Sequence, residues 1–436
     1  MRKDKQAQRE NNFHMLRERH GYYRMKKIIV IGGGASGMMA AITAARHGAA
    51  VTILEHKERI GKKILMTGNG KCNLSNMSFS NDNYYTDTPE LLEEVFAEFS
   101  EKDTISFFEG LGLLIKNKNG YLYPMSEQAS SVLDLLRFEI NRRKIQVVTE
   151  CEVQKINQKQ SNKELFEVIT NQGTYLSQAV ILACGSKASP QSGSDGSGYA
   201  FAKQLGHHIV KPLPALVQLR CQETYFKAVA GVRCEANVRL MVDEKFQKEE
   251  AGELQLTEYG ISGIPVFQLS RIAAKALDTK KKVLAEIDLM PKFSTEEIEN
   301  FLTKSNENTN KSLQEAMLGI MNKKLLFLMF KINDVKADDL WNTYSSTQAG
   351  LHRIRKMIET IKCWQVTVTA TNPYANAQVC CGGVDGKELT GKLESKKING
   401  LFFAGEIIDV DGICGGYNLQ WAWSSGYVAG KYAARD

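Results

Sequence analysis

Short apolar runs alternate with a helical pattern at the start of the chain. "KKIIVI" (26–31) is an apolar run that ends at glycines, "GGGASGMMAAITAARHG" (32–48) carries an Ala-rich helical pattern, and "AAVTILE" (49–55) is a second apolar run. This order predicts a strand, a Gly-rich turn, a helix and a strand, which together form a βαβ unit. Further buried strands are predicted in "QAVILACG" (178–185) and "GLFFAGE" (400–406). The fold class that follows is α/β, with a parallel sheet covered by helices.

The middle of the chain has a different pattern. Residues 231–244, "GVRCEANVRLMVDE", alternate between apolar and polar positions, with Met241 as the exception. The positions that share the apolar face are Val232, Cys234, Ala236, Val238, Leu240 and Val242. Such alternation is typical of a half-buried antiparallel strand, and "GELQLT" (252–257) is its predicted partner. This region is therefore predicted to be β-rich.

A helical pattern interrupts the β-rich region. Ser294 and Glu297 have the spacing of a capping box, and the helical pattern continues from there to about Lys362. "WQVTVTAT" (364–371) then returns to strand alternation. We therefore predict an α/β domain with two nested insertions. Its parts are residues 25–205 and 372–436 for the α/β domain, 206–290 and 363–371 for the β-rich domain, and 291–362 for the helical insertion.

Positive charge is concentrated at the N-terminus. The chain of 436 residues carries a net charge of +7, and residues 1–24 contribute seven Lys or Arg against three Asp or Glu. We predict a basic, solvated and disordered extension without the apolar stretch of a secretory signal. Binding of nucleic acid by this tail is the less favoured interpretation. No apolar run is long enough to cross a membrane, so no membrane span is predicted.

The cysteines indicate a reducing compartment. The chain has nine cysteines, an odd number, and no C-x-x-C pair. Without an export signal, this usage predicts reduced thiols in a cytoplasmic protein. The seven histidines are scattered, and the adjacent pair His207 and His208 does not have the spacing of metal ligands. We therefore predict no metal site.

A glycine motif carries the first indication of function. Gly32, Gly34 and Gly37 form the pattern G-x-G-x-x-G directly after the first predicted strand. In a βαβ unit, this pattern allows a tight turn, close approach of a pyrophosphate, and close packing of helix on strand. Glu55 ends the second strand, 18 residues after Gly37, where its carboxylate can accept hydrogen bonds from a ribose diol. The motif predicts FAD or NAD and disfavours NADP, because an acid repels a 2′-phosphate.

Three stretches resemble the YhiN/BaiN-like flavoproteins, a family related to the aminoacetone oxidases. They are "VIGGGASGMMAAITAARHGAAVTILE" (30–55), "RIGKKILMTGNGKCNLSN" (59–76) and "LESKKINGLFFAGEIIDVDGICGGYNLQWAWSSGYVAG" (393–430). The resemblance implies one bound FAD and a Rossmann-like FAD-binding domain. It further implies an inserted antiparallel β-barrel-like domain and a helical subdomain.

The resemblance also assigns cofactor contacts to particular positions. The positions implied to contact the pyrophosphate and the ribose are Gly32, Gly34, Ala35, Ser36 and Glu55. Those of the loop beside the flavin are Lys63, Thr67, Gly68, Gly70 and Asn73, and Val153 lies on the adenine-contacting strand. Those of the ribityl segment and the last turn are Gly405, Glu406, Asp411, Gly415, Gly416, Tyr417 and Asn418.

Two residues are candidates for catalysis. Tyr417, at the start of the last predicted helix, is a possible proton donor, and this helix would direct its positive end at the reduced flavin. Cys72 is either a thiol that tunes or reacts with the flavin, or a small packed side chain, and packing is the favoured interpretation. Packing is also favoured for the adjacent Cys380 and Cys381, because a disulfide between neighbours is strained.

The choice of reaction stays open at the level of the sequence. A second G-x-G-x-x-G after a strand is missing, so either NAD(P)H visits the flavin transiently or oxygen meets the reduced flavin. The favoured hypothesis, implied by the resemblance, is an NAD(P)H-driven reductase of an activated C=C bond in an apolar enone such as a 3-oxo bile acid or steroid.

Three other functions remain as alternatives. The first is an FAD-dependent oxidase of amines such as aminoacetone, with oxygen as the acceptor. The second is a tRNA-modifying flavoprotein, for which the basic tail is the support, although the rest of the chain is nearly balanced in charge. The third is a flavin-binding protein without catalysis. A small-molecule substrate is the expected partner, and the oligomeric state is left open.

Overall fold

A computed structural model describes residues 25–159, 166–307 and 309–435. The predicted disordered extension, residues 1–24, lies outside the described residues. The strands are β1 (Lys27–Ile31), β2 (Ala50–Leu54), β3 (Ser75–Asn76), β4 (Tyr84–Tyr85), β5 (Ile115–Lys118), β6 (Tyr121–Pro124), β7 (Gln146–Val148), β8 (Val153–Gln158), β9 (Phe166–Thr170), β10 (Gly173–Ser177), β11 (Ala179–Leu182), β12 (Ile209–Ala215), β13 (Leu219–Cys221), β14 (Arg233–Val242), β15 (Lys245–Thr257), β16 (Gly260–Gly263), β17 (Val283–Asp288), β18 (Trp364–Thr371), β19 (Val379–Val384), β20 (Leu401–Phe403) and β21 (Asp411–Gly412).

The helices of the described residues follow the same order. They are α1 (Ala35–Arg46), α2 (Pro89–Glu98), α3 (Glu101–Gly110), α4 (Ala129–Arg142), α5 (Ser197–Gln204), α6 (Phe226–Val229), α7 (Ile264–Asp278), α8 (Thr295–Ser305), α9 (Leu313–Met317), α10 (Lys323–Ile332), α11 (Trp341–Ser345), α12 (Gln348–Lys362) and α13 (Tyr417–Ala434). Within the described ranges, none of these helices combines the length and the apolar character that crossing a bilayer requires.

The α/β prediction is confirmed by a five-stranded parallel sheet in the order β20-β11-β1-β2-β7. All four predicted buried strands belong to it. Helices α1 and α13, from opposite ends of the chain, pack against each other. A Cβ at Gly430 of α13 would collide with the carbonyl oxygen of Ala40 in α1, so glycine lets the two backbones approach closely. This contact brings the two ends of the sequence to one place.

The β-rich region forms a closed antiparallel barrel in the order β13-β16-β15-β14-β17-β18. The predicted alternation in β14 is confirmed, because Ala236, Val238 and Leu240 are almost fully buried in the barrel core. The predicted pairing is confirmed as well, with Cys234 opposite Leu254 of β15. Because side chains of a strand alternate between faces, this register places every second residue inside the barrel.

The helical insertion begins where the capping box predicts. Ser294 Oγ accepts a hydrogen bond from Glu297 N at 3.1 Å, and Glu297 Oε2 accepts one from Ser294 N at 2.7 Å. The helices from α8 to α12 share one apolar core with the barrel, to which Leu302, Met329 and Ile358 contribute. The parallel sheet has a separate core. The exact domain boundaries given above remain predictions.

Of two smaller sheets, one lies between the parallel sheet and the barrel in the chain, and the other lies next to the cavity described below. Strands β12 and β19 pair antiparallel beside the barrel. Strands β3, β6 and β5 form a small antiparallel sheet, in which β6 is central. The turn between β5 and β6, the loop before β3 and the start of α7 all approach one cavity.

Candidate cofactor-binding cavity

A cavity of about 1010 Å³ lies where the ends of the chain meet. Gly34, after β1, and Gly416, before α13, both belong to its wall. Sites for cofactors and small ligands are typically about 300–1,000 Å³, so this volume suits a ligand at the large end of that range. The two ends of the cavity are lined by different kinds of residue.

The Gly-rich turn after β1 leaves the start of helix α1 open. No side chain caps this helix, and its first turn contains no acidic residue. A Cβ at Gly34 would meet no atom within 4 Å, whereas one at Gly37 would collide with the carbonyl oxygen of Gly32. Gly37 therefore serves the packing of helix on turn, and the open N–H groups beside Gly34, Ala35 and Ser36 can receive a phosphate. All three of these residues line the cavity.

The carboxylate of Glu55 is held in the cavity wall. Glu55 is only 7% exposed, and it accepts hydrogen bonds from Gly33 N at 2.8 Å and Lys57 N at 2.9 Å. A carboxylate has about four acceptor positions, so it can still accept from a ribose diol. Val153, at the start of β8, also lines the cavity, and its contact with the adenine, which the resemblance implies, stays a prediction.

His56 is a residue of this end that the sequence analysis missed. Its Nδ1 lies 3.3 Å from Glu55 Oε1, and its Nε2 lies 3.8 Å from Asp195 Oδ2. The Nε2 atom is buried and makes no hydrogen bond with any described residue. His56 and Asp195 both line the cavity. The only feature of the sequence that could have indicated a role for His56 was its position directly after Glu55.

The loop from Ile64 to Asn73 departs from regular structure at the cavity. Thr67, Gly68 and Asn69 have non-helical backbone angles, which turn the chain along the cavity wall. The Oδ1 atom of Asn73 is buried and lacks a hydrogen-bond partner among the described residues. A buried acceptor of this kind needs a donor, and an N–H group of a ligand in the cavity would supply it.

The turn into α13 forms the facing wall. Gly416 precedes the helix with φ of +96°, and no side chain caps the helix. Asn418 lines the cavity, but its amide already closes the turn by hydrogen bonds with Gly412 N and Gly412 O, both at 2.8 Å. Asn418 therefore shapes the turn, and the N–H groups at the helix start, which have no partner within the helix, belong to a segment whose residues Gly416 and Asn418 line the cavity.

Lys63 and Glu406 form an ion pair in the cavity wall. Lys63 Nζ lies 2.6 Å from Glu406 Oε2, and Ser186 Oγ donates to the same oxygen at 2.9 Å. Both charged residues line the cavity. The pair joins the loop after β2 to the segment after β20, two regions that are distant in sequence.

The structure leaves five predicted positions out of the cavity wall. Gly70, Cys72, Gly405, Asp411 and Tyr417 do not line it, whereas all the other predicted positions do. Gly405 instead packs on Ser36, where its lack of a side chain is needed. Asp411 is buried and accepts from Arg271 Nε at 3.0 and 2.9 Å. Because a buried carboxylate needs a cation, Asp411 joins α7 to the last turn.

The two candidates for catalysis are also held away from the cavity. Burial raises the pKa of the Cys72 thiol to about 12, so it stays protonated, and its side chain is fully buried. The Tyr417 hydroxyl donates to Ser78 O at 3.1 Å, and burial raises the pKa of this phenol. Burial likewise raises the pKa of Cys380 to about 11 and of Cys381 to about 12. These thiols fit the packing interpretation.

Part of the cavity wall is made of aromatic and aliphatic side chains, and the sequence analysis missed most of them. We call this part the apolar end. Tyr121 and Tyr123 of β6 line it together with Ile264 and Phe267 of α7. Gln268 Oε1 accepts from Cys414 N at 2.9 Å, which ties α7 to the last turn. The alternation in "GYLYP" (120–124) was a weak signal that both tyrosines share a face.

The described residues contain no group of three His, Cys, Asp or Glu side chains placed as metal ligands would be. The cavity does fit FAD. An open helix start, a held carboxylate, a buried acceptor without a donor and a second open helix start correspond to phosphate, ribose and a flavin edge. These features are those of a dinucleotide-binding protein of the Rossmann-like class, and the cavity that would take the cofactor is lined by residues from both ends of the chain.

The chain belongs to the family of the HI0933-like protein Rossmann domain, which matches residues 26–432, and it is an FAD-dependent oxidoreductase. It is 42% identical to the 3-dehydro-bile acid delta(4,6)-reductase of Clostridium scindens over 91% of this chain and 96% of that protein. It is 29% identical to a ribosomal RNA dihydrouridine synthase of Haemophilus influenzae over 92% and 96%, respectively. A 3-ketosteroid-delta4-(5alpha)-dehydrogenase structure from Rhodococcus jostii covers 96% of this chain and 98% of its own, at 15% identity and a TM-score of 0.45.

Proposed function

We propose that the protein uses NAD(P)H to reduce a C=C bond conjugated to a ketone in an apolar substrate of the 3-oxo bile-acid or steroid class. The observation that carries this proposal is the 42% identity to a 3-dehydro-bile acid delta(4,6)-reductase, because it extends over nearly the whole of both chains. Identity at this level over matched lengths favours a shared reaction type. The substrate and the use of NAD(P)H as the electron donor are the proposed parts.

The apolar end of the cavity supports a flat, apolar substrate. Met66, Tyr121 and Ile264 line the cavity and are 50%, 41% and 59% exposed, so their apolar surfaces are open at its mouth. Leu216 and Phe267 continue this surface inward. Exposed apolar surface at a cavity mouth is costly in water, and burial of a fused-ring substrate would remove it.

FAD, when bound, would supply hydride chemistry, and the protein would supply binding and electrostatics. The open start of α1 would hold the pyrophosphate, and Glu55 would hold the ribose. The positive end of α13, at Gly416, would stabilise negative charge on the ligand that faces it. NAD(P)H would bind transiently, since the sequence has one dinucleotide motif and the FAD occupies it. A cytoplasmic location is part of this proposal.

An anaerobic reductant screen tests the proposal. The purified yellow protein is mixed with NADH and then with NADPH, and bleaching of the flavin absorbance is followed in each case. The reduced protein is then mixed with a Δ4-3-oxo steroid, and recovery of the absorbance is expected. If a primary amine bleaches the flavin and neither nicotinamide does, the amine-oxidase alternative replaces this one. If the reduced protein is not reoxidised by any enone, the proposed substrate class is wrong.

A second candidate function is reduction of uridine in RNA. It is favoured by the match to a ribosomal RNA dihydrouridine synthase over 92% of this chain. The uracil C5=C6 bond is also conjugated to a carbonyl, so the same hydride chemistry would serve both substrates. Reoxidation of the reduced protein by ribosomal RNA transcripts, with dihydrouridine in the product and no response to the steroid, would establish this alternative.

A further inference from the structure

A cluster of titratable side chains at the apolar end of the cavity has no part in the contacts with the cofactor described above. Tyr121 and Tyr123 stand two residues apart on β6, on the same face of the strand, whereas Leu122 between them is buried. Both tyrosines line the cavity. Neither hydroxyl makes a hydrogen bond with a described residue, in contrast to Tyr417, whose hydroxyl is bound to Ser78 O. Both phenols are therefore free to act on a ligand.

The two rings lie at the two glycine turns of the cavity. A Cβ at Gly68 would be 3.6 Å from Cε1 of Tyr123, and one at Gly415 would be 3.0 Å from Cε1 of Tyr121. The backbone of these turns, which would face the flavin, is thus in contact with the tyrosine rings. A substrate placed over the flavin would meet the same strand.

Lysines surround Tyr123 in particular. Lys116 is its direct partner across the sheet in β5. Lys116 Nζ lies 2.6 Å from Glu127 Oε1, and Lys71 Nζ lies 2.8 Å from Glu127 Oε2. Lys71 also lines the cavity. Glu127 thus pairs with two lysines near Tyr123, and of these Lys71 belongs to the cavity wall.

We propose that Tyr123 is the proton donor of the reduction and that Lys71, held by Glu127, positions and supports the charge of this donor. The inference rests on the proposed function and adds to it the residue that completes the reaction. Sequence reasoning pointed to Tyr417 instead, because that residue belongs to a recognisable motif. Tyr123 belongs to no motif, and only the packing of β6 against the cavity brings it there.

The proton balance of the step is simple. FAD, when bound and reduced, would supply the hydride for the new C–H bond at the carbon β to the ketone, and the π electrons of the C=C bond would move to the α-carbon. The Tyr123 O–H bond breaks, and its proton forms the C–H bond at the α-carbon. The phenolate that remains takes a proton from water at the cavity mouth. One hydride and one proton are consumed for each C=C bond that is reduced.

The surroundings of Tyr123 keep its phenol protonated, and Lys71 is the group among them that favours release of the proton. Burial raises the pKa of Tyr123, Tyr121 and Glu127 raise it further, and Lys71 opposes them. The phenol is therefore protonated at neutral pH, which is the state that a donor requires. The hydrogen bond to Glu127 raises the pKa of Lys71, so the ammonium keeps its charge while the phenolate exists.

The test separates proton donation from binding and from flavin reduction. Wild type, Tyr123→Phe and the matched control Tyr175→Phe, whose ring lies on β10 outside the cavity wall, are reduced with dithionite and mixed anaerobically with a Δ4-3-oxo steroid. We expect reoxidation of Tyr123→Phe to slow by on the order of 10²–10⁴-fold, as for loss of a general acid. Affinity of the oxidised proteins for a saturated 3-oxo steroid, read from the flavin absorbance shift, should be unchanged.

The dependence of the reoxidation rate on pH distinguishes proton donation by Tyr123 from a purely structural role, because a structural role would not change the shape of this profile. Reoxidation of wild type should fall at alkaline pH as Tyr123 loses its proton. Because Lys71 lowers the pKa of this phenol, Lys71→Met should move the alkaline limb to higher pH, and Tyr123→Phe should abolish both the limb and the solvent isotope effect on this step.

The outcomes also distinguish this inference from the proposed function. If wild type is reoxidised by the enone and Tyr123→Phe is reoxidised equally fast, Tyr123 is not the donor and the proposed function stands. If Tyr121→Phe or Tyr417→Phe loses the solvent isotope effect and Tyr123→Phe keeps it, the donor is assigned wrongly. If reduced wild type does not react with any enone, the proposed function fails, and this inference fails with it.

Discussion

The two ends of the cavity are built in different ways. The end proposed for the dinucleotide is made of consecutive residues, Gly32 to Ser36 with Glu55, and its contacts are mostly backbone N–H groups. The end proposed for the substrate is assembled from segments that are far apart in the sequence, to which Met66, Tyr121 and Ile264 belong. A backbone contact depends on local turn geometry, whereas an assembled wall depends on how domains pack. The dinucleotide end should therefore tolerate changes in domain packing better than the substrate end.

The largest effect is expected from breaking the pair between Asp411 and Arg271, which joins α7 to the last turn. Asp411→Asn would leave a buried guanidinium unpaired and should lower the free energy of unfolding by about 3–5 kcal/mol. The measurement is chemical denaturation of the holoprotein. Steroid affinity should be lost before FAD affinity, because α7 carries the substrate wall.

The matched control for this pair is a double replacement. Arg271→Met with Asp411→Leu removes both charges, and the stability should return towards that of wild type. Equal destabilisation of the single and the double variant would show that side-chain packing, rather than charge pairing, joins these elements.

The glycines of the first turn sharpen the comparison at the dinucleotide end. Gly37→Ala places a methyl group against the carbonyl of Gly32 and should destabilise the apoprotein by about 3 kcal/mol. Gly34→Ala has open space and should leave the melting temperature of the apoprotein unchanged while it weakens FAD binding. Thermal melts and flavin titrations of the two variants check this. Equal effects on folding would contradict the different roles given to the two glycines.

Glu55→Ala should weaken FAD binding by about 1–3 kcal/mol, because it removes the acceptor of the ribose diol and would leave the ribose hydroxyls unsatisfied. Quenching of flavin fluorescence during titration of the apoprotein measures the change. Glu55→Gln, which keeps one acceptor oxygen, is the control and should lose less. A Glu55→Ala protein that purifies with full flavin would show that this carboxylate does not hold the cofactor.

The smallest effect is expected at Cys72. Its buried thiol, with a pKa raised to about 12, should resist iodoacetamide at pH 8 in the folded protein, because the thiolate is the reactive form. Cys363 is exposed and serves as the internal control that reacts first. Peptide mapping by mass spectrometry reads both sites. Rapid labelling of Cys72 in the native protein would return this thiol to the list of reactive groups beside the flavin.

The sequence allowed much of the fold to be predicted, and the reason differs from element to element. The βαβ unit follows from local patterns, since few other local structures are compatible with a Gly-rich turn between an apolar run and an Ala-rich run. The capping box at Ser294 and the alternation in β14 are local in the same sense. The closure of the barrel was less accessible, because it depends on β13 and β16, which are short and carry little pattern.

The candidate site was predicted unevenly for the same reason. Within the glycine motifs, most glycines predicted to contact the cofactor line the cavity, with Gly70 and Gly405 as exceptions, because close approach of the backbone requires glycine and is therefore visible in the sequence. Asp411 belongs to such a motif, but its carboxylate pairs with Arg271, whose position no local pattern could reveal. Likewise Tyr417 stands in the motif and points its hydroxyl to Ser78, whereas Tyr123 stands outside every motif and lines the cavity.

By itself, the sequence determined the class of the protein: a parallel sheet with a dinucleotide-binding motif in its first turn and an acidic residue after its second strand. Those features depend on hydrogen bonds and sterics between residues that are close along the chain. Only the tertiary structure decided which side chains meet at the apolar end of the cavity. There the wall is shared by β6, α7 and the turn before α13, and contacts between segments so far apart arise from packing, which short-range pattern does not encode.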